Sequence, residues 1–171
     1  MPPNWTRLLI LPLVLGCLAS PALAVMLDDP PSVPADEDFA AGTEAFERED
    51  WARVIEHMSK VIARRPWHDE AHNRLGFAHR KLGDYDRSLE HYHRALQLNP
   101  HNRGALEYLG EAYLELGQEG RAREVLHLLE TECQRVADGG SWQDECEEWQ
   151  DLVAAFEAHG SKRAEGPPAR E

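Results

Sequence analysis

The chain has 171 residues, with 18 Lys and Arg against 31 Asp and Glu, a formal net charge of −13. Its length bounds the answer at one domain. Its acidity argues against nucleic acid and anionic membrane surfaces as partners, because such a surface repels phosphate.

The first segment is not part of that domain. Arg7 precedes an apolar run from Leu8 to Leu18, and then come Pro21 and the small-residue site Ala22-Leu23-Ala24. A charged n-region, an h-region and a cleavage site in this order predict a secretory signal over residues 1–24. The run is too short to remain as a membrane anchor. A rival reading is a lipid anchor: Val14-Leu15-Gly16-Cys17 resembles a bacterial lipobox, which would leave Cys17 as a lipidated N-terminus. Export, most naturally to a bacterial periplasm, is the expectation. Removing residues 1–24 takes away one arginine and no acid, which moves the net charge to −14. Residues 25–34 hold Asp28, Asp29, Pro30, Pro31 and Pro34 and read as a stiff acidic linker.

From residue 35 the chain repeats. Gly42, Gly76 and Gly110 stand at equal steps, and other positions keep the same step. Ala45, His79 and Tyr113 align, as do Val54, Ser88 and Ala122, Met58, Tyr92 and Leu126, and Val61, Ala95 and Leu129. Pro66 and Pro100 close two of the units, since proline cannot continue a helix. The pattern resembles the tetratricopeptide repeat, a helix-turn-helix unit with a period of about 34 residues. The resemblance implies an all-α fold. Three helix-turn-helix units (35–68, 69–102 and 103–136) would stack as a right-handed solenoid, with the glycine where the paired helices cross most closely. The second unit is nearest to consensus.

Past the repeats, Trp142, Cys146, Trp149, Leu152, Val153 and Phe156 recur at helical spacing, with Ser141 as N-cap and Gly160 as stop. This predicts one capping helix over 141–159 that covers the open end of the solenoid, as terminal units must. Residues 160–171 read as a disordered tail. Cys133 and Cys146 flank the reversal at Gly139-Gly140 and predict a disulfide in an exported chain. A redox-responsive role for the pair is the alternative. It lacks a Cys-x-x-Cys spacing, and the acids nearby would raise a thiol pKa.

No phosphate loop, nucleophile elbow or zinc-protease motif occurs, so no enzyme, catalytic residue or cofactor is expected. The 9 histidines raise metal handling as an alternative function. Their spacing completes no ligand set, although His57 with His91 and His93 with His127 hold equivalent positions in successive units.

What the resemblance implies is a protein-binding surface: the first helix of each unit lines a groove that holds a peptide or helix of a partner protein. The groove positions here include Phe39 and Phe46 in the first unit, Asn73, Phe77, Arg80 and Lys81 in the second, and Glu107, Glu111, Leu114 and Glu115 in the third. Phe39, Phe46, Phe77 and Leu114 predict an exposed apolar anchor site. Arg80 and Lys81 predict a basic spot, and the three glutamates an acidic wall that would face a basic partner. Asn73, Arg74 and Lys81 match parts of the family's carboxylate clamp, but Phe39 and Glu107 stand where clamp groups would be, and the clamp is not carried over. The expectation is a non-enzymatic exported adaptor or assembly scaffold. Two further arrangements are open: the segment from Val25 to Val33 folded into the groove, and end-to-end dimerisation through the first unit.

Overall fold

Every turn between paired helices is built the same way. A computed structural model describes residues 36–136 and 141–164, with side chains to residue 160. The signal, Cys17, the acidic linker, the Val25 to Val33 segment, the Gly139-Gly140 reversal and the end of the tail lie outside the described residues. Six helices form three antiparallel pairs: α1 (Glu37–Glu47) with α2 (Trp51–Arg64), α3 (Asp69–Lys81) with α4 (Tyr85–Leu98), and α5 (Arg103–Glu115) with α6 (Glu119–Val136). The amides of Asp50, Asp84 and Gln118, which hold the same place in each unit, return to the carbonyls of Ala45, His79 and Tyr113 at 2.8–2.9 Å. The residue before each is left-handed: Glu49 at φ 55°, Gly83 at 79° and Gly117 at 69°. Glycine takes that conformation freely, whereas Glu49 meets the Cβ penalty. The side chains of Asp36, Asp50, His68, Asp84 and Asn102 each accept from a free amide of the helix that follows, which satisfies donors with no intrahelical partner.

The repeat glycines mark close approaches. A Cβ on Gly42 would lie 2.6 Å from Met58, and one on Gly76 would lie 2.6 Å from Tyr92. In the third unit the partner changes. The nearest atoms to a Cβ on Gly110 belong to Leu152, not to the aligned Leu126.

Leu152 belongs to the cap, and there the expectation of one helix over 141–159 is corrected. A single turn, α7 (Trp142–Glu145), is followed by a break at Cys146, and α8 runs over Glu147–Ala164. Cys146 has extended backbone (φ −111°, ψ 92°) and is joined by a disulfide to Cys133 on α6. The Ser141 hydroxyl makes no capping bond. The covalent tie holds Cys146 at α6 while Leu152 seats on Gly110, and a straight helix from Ser141 would have to satisfy both. Gly160 does not stop α8. A glycine within a helix costs about 1 kcal/mol relative to alanine, which continuing hydrogen bonds can offset.

The core runs along the stack. Val54, Met58, Val61, Ala71, Leu75 and Ala78 fill the first half, and Tyr92, Leu109, Ala112, Leu129, Cys133, Cys146 and Leu152 the second. No helix among the described residues is long and apolar enough to cross a membrane.

Candidate interaction groove

Helices α1, α3 and α5, the first of each pair, carry a row of aromatic rings. Phe46 and Phe77 meet at 4.9 Å between centroids, Trp51 completes the triangle at 5.5 and 5.4 Å, and Phe77 reaches Tyr108 at 4.6 Å, edge to face. Phe39 stands apart, stacked at 4.8 Å on His68. Arg74 lays its guanidinium over Phe39 at 4.8 Å and Phe46 at 5.7 Å. The expected open apolar anchor is therefore corrected: Phe39, Phe46 and Phe77 are half-buried. Phe46, Phe77 and Tyr108, one on each first helix, cover one another in turn, because aromatic pairs prefer tilted and edge-on contact at these distances, while His68 and Arg74 cover Phe39.

Leu114 is also corrected. It is buried, 3% exposed, at the edge of a cleft of about 450 Å³ that Tyr85, Glu115, Ala155 and His159 also line. Helix α8 lies over this end of the groove, so Leu114 packs against the chain's own cap.

The expected basic spot and acidic wall largely neutralise each other. Arg80 is 5% exposed and binds Glu111 at 2.5 Å and Glu115 at 3.1 Å. Its guanidinium lies 5.0 Å from the Phe77 centroid. A guanidinium buried this deeply needs its carboxylates, so the pair belongs to the α3–α5 interface. Lys81 remains exposed, with its ammonium 5.0 Å from the same ring.

Glu107 behaves differently from the other acids. It is 7% exposed and lines a cleft of about 320 Å³ with Phe46, Asn73, Asn102, Gly104, Tyr108 and Glu148. Burial, and then repulsion from Glu111, Asp151 and Glu148, push its carboxyl up to about 8, against a smaller opposing pull from Arg80. Asn73, 4% exposed, donates a long bond from Nδ2 to Glu70 (3.4 Å), while its Oδ1 has no partner among the described residues. Thus all four anticipated groove residues of the second unit lie on α3, and those of the third on α5, but they serve three different environments. The sequence reading missed Trp51, Tyr108 and Glu148. Tyr108 could have been found as the neighbour of a groove position. Glu148 could not, because it reaches the groove only through docking of α8.

The histidine pairings are also revised. His57 bonds Asp38 at 3.1 Å and His93 bonds the Tyr113 hydroxyl at 3.1 Å, so His57 does not pair with His91, nor His93 with His127. Instead His72, His79 and His91 cluster between α3 and α4. His72 Nδ1 lies 3.1 Å from His91 Nδ1, and His79 stacks on His91 at 5.6 Å. His72 Nε2 faces the Pro66 carbonyl at 3.3 Å, so it donates there and Nδ1 accepts from His91. Burial lowers all three pKa values, and for His91 burial followed by its two histidine neighbours lowers it to about 4. Among the described residues no three histidines, cysteines or acids converge as a metal site.

Residues 69–102 match the family model of the tetratricopeptide repeat. No curated protein matches the sequence significantly. Among solved structures, the chain is similar to a structure of yeast Sti1, its TPR2B domain in complex with pHsp70. The TM-score is 0.61 at 20% identity, over 72% of this chain and 98% of that one. It is also similar to the Sgt2 TPR domain from Aspergillus fumigatus (TM-score 0.60, 18% identity, 82% of this chain and 89% of that one). A third similar structure is MamA (TM-score 0.55, 19% identity, 57% of each chain).

Proposed function

We propose that this chain, an all-α tetratricopeptide-repeat solenoid, is a non-catalytic adaptor that holds a segment of a partner protein against α1, α3 and α5. The observation that carries the reading is the row of Phe46, Phe77 and Tyr108, half-buried rings on successive first helices, with Phe39 beside it under the same Arg74 guanidinium and Lys81 over Phe77. Rings that keep part of their surface in water on the face formed by α1, α3 and α5 offer apolar area at little ordering cost, because neighbouring rings already hold them. The pHsp70 complex of the yeast Sti1 domain supports the reading by analogy of fold. The sequence supports an exported setting through Arg7, the apolar run and Ala22-Leu23-Ala24, and a disulfide between Cys133 and Cys146 suits an oxidising compartment.

The test is capture of the chain's partner from a cell-envelope extract, comparing wild type with a Phe39→Ala/Phe77→Ala variant whose helicity and thermal melt are checked. A protein held by the wild type and lost by the folded variant is the expected result. Equal retention by both sinks the groove assignment.

A further inference from the structure

Among the described residues, four acids that border the groove have a cationic partner, and Glu107 does not. Glu70 binds Arg74 at 2.7 Å, Glu111 and Glu115 bind Arg80, and Glu148 faces Arg103 at 3.3 Å. Glu107, the most buried of them, has no hydrogen bond or ion pair of its own among the described residues. Beside it on α3 is Asn73, a side chain more than nine-tenths buried whose Oδ1 accepts nothing. Its amide cannot be turned round without losing the bond to Glu70, since only Nδ2 can donate to that carboxylate. Two buried acceptors thus border one cleft and lack a donor.

We propose that the cleft between Asn73 on α3, Glu107 on α5 and Glu148 on α8 receives one cationic side chain, arginine or lysine, of the bound segment. This rests on the groove reading above and names what the groove selects for. Phe46 and Tyr108 line the same cleft, and aromatic rings attract a cation that comes over their faces. Gly104 keeps the entrance open: a Cβ there would lie 3.3 Å from Asn73 Nδ2 and 3.7 Å from Asn102 Oδ1. The native guanidiniums nearby are already engaged. Arg74 is held by Glu70 and the Thr43 hydroxyl, and Arg103 by Glu148. The charged groups around Glu107 are Glu111 and Arg103 on its own helix, Glu70, Arg74 and Arg80 on α3, and Glu148 and Asp151 on α8. Burial first, and then repulsion from Glu111, Asp151 and Glu148, hold the free carboxyl protonated near neutral pH. A cation that pairs with the carboxylate favours its ionised form, so binding releases the proton and strengthens as pH rises.

The experiment titrates N-acetylarginine amide, N-acetyllysine amide and the neutral isostere N-acetylcitrulline amide into the full chain, followed by ¹⁵N NMR at the Gly104 amide and the Asn73 side-chain amide. We expect saturable shifts from at least one of the two cations, none from citrulline, and at least about a threefold loss of affinity in Glu107→Gln. Gly104→Ala, which narrows the entrance, should weaken the same titration and serves as a second variant. No saturable shift from either cation, a citrulline response equal to theirs, or unchanged affinity in Glu107→Gln overturns the pocket. The two readings fail separately. A captured partner retained equally by wild type and Glu107→Gln sinks the pocket and leaves the groove, whereas capture insensitive to Phe39 and Phe77 sinks the groove.

Discussion

Gly110 on α5 and Leu152 on α8 approach so closely that a Cβ on the glycine would lie 2.6 Å from a leucine methyl. Leu152 is fully buried. In the first two units the equivalent glycine receives a side chain from its own second helix, Met58 or Tyr92. The cap therefore enters the solenoid as a substitute for part of a repeat. Leu152→Ala should destabilise the chain by about 2–4 kcal/mol, from lost burial and the cavity left behind. Gly110→Ala should cost about 1–3 kcal/mol by overpacking the same contact. Chemical denaturation of both variants checks this. If Leu152→Ala changes stability no more than an ordinary surface substitution does, about 0.5 kcal/mol, then α8 is not docked there.

Glu49 occupies the left-handed position that Gly83 and Gly117 fill in the other two units, and it is exposed. Glu49→Gly should stabilise the first turn, because the Cβ penalty of about 1 kcal/mol exceeds the entropy that glycine adds to the unfolded chain. A net gain of about 0.5 kcal/mol, or a rise of roughly two degrees in Tm, is expected. An unchanged or lower Tm contradicts it.

Acid should loosen the second repeat through its histidines. The folded pKa values of His72, His79 and His91 lie below the ordinary 6.5, and His91 reaches about 4. The unfolded chain therefore takes up protons first as pH falls. Stability is fully present above pH 6.5 and is lost between there and about pH 4. Asp84 and Glu90 oppose the shift at His79 and Asp69 at His72, while Arg87 and Arg94 add to it. For His91 the loss should be about 1–2 kcal/mol, reduced from the full shift because the ring is partly exposed. Urea denaturation at pH 7 and pH 4.5 measures it, with His91→Gln as control. If the variant loses as much stability over that window as wild type, the cluster is not the cause.

Glu107 has the opposite sign. Its folded pKa is raised from 4.5 to about 8, so the folded state holds the proton more tightly. Its contribution is fully present below pH 4.5 and is lost as pH rises through 8. Glu107→Gln keeps the shape and removes the buried charge, so at pH 8.5 the variant should be more stable than wild type by about 1–3 kcal/mol, with a smaller gain at pH 5. Thermal melts across this range test it. A variant less stable than wild type at pH 8.5 would mean that the carboxylate has a partner.

The repeat was readable because its determinants are local and periodic. The glycine at each close approach and the residue before each second helix recur at a constant step along the chain, and a proline closes the first two units. A disulfide between Cys133 and Cys146 was also legible, since few residues separate the two cysteines. The helix break at Cys146 was not. Apolar spacing sees only which side chains share a face, and here a covalent tie and the Gly110 contact compete for the same segment.

The state of the groove was the least legible part. Sequence register by itself determined which residues lie on the first helix of each unit, because a fixed period with a constant turn sets that register wherever the chain goes. Only the tertiary structure decided which of them remain free. Arg80 neutralises Glu111 and Glu115 across the α3–α5 interface, the aromatic rings cover one another between units, and α8 covers Leu114 and brings Glu148 to Glu107. Each of these depends on distances between residues far apart in the chain, and the energies of burial and charge pairing follow those distances, not the order of residues along the chain.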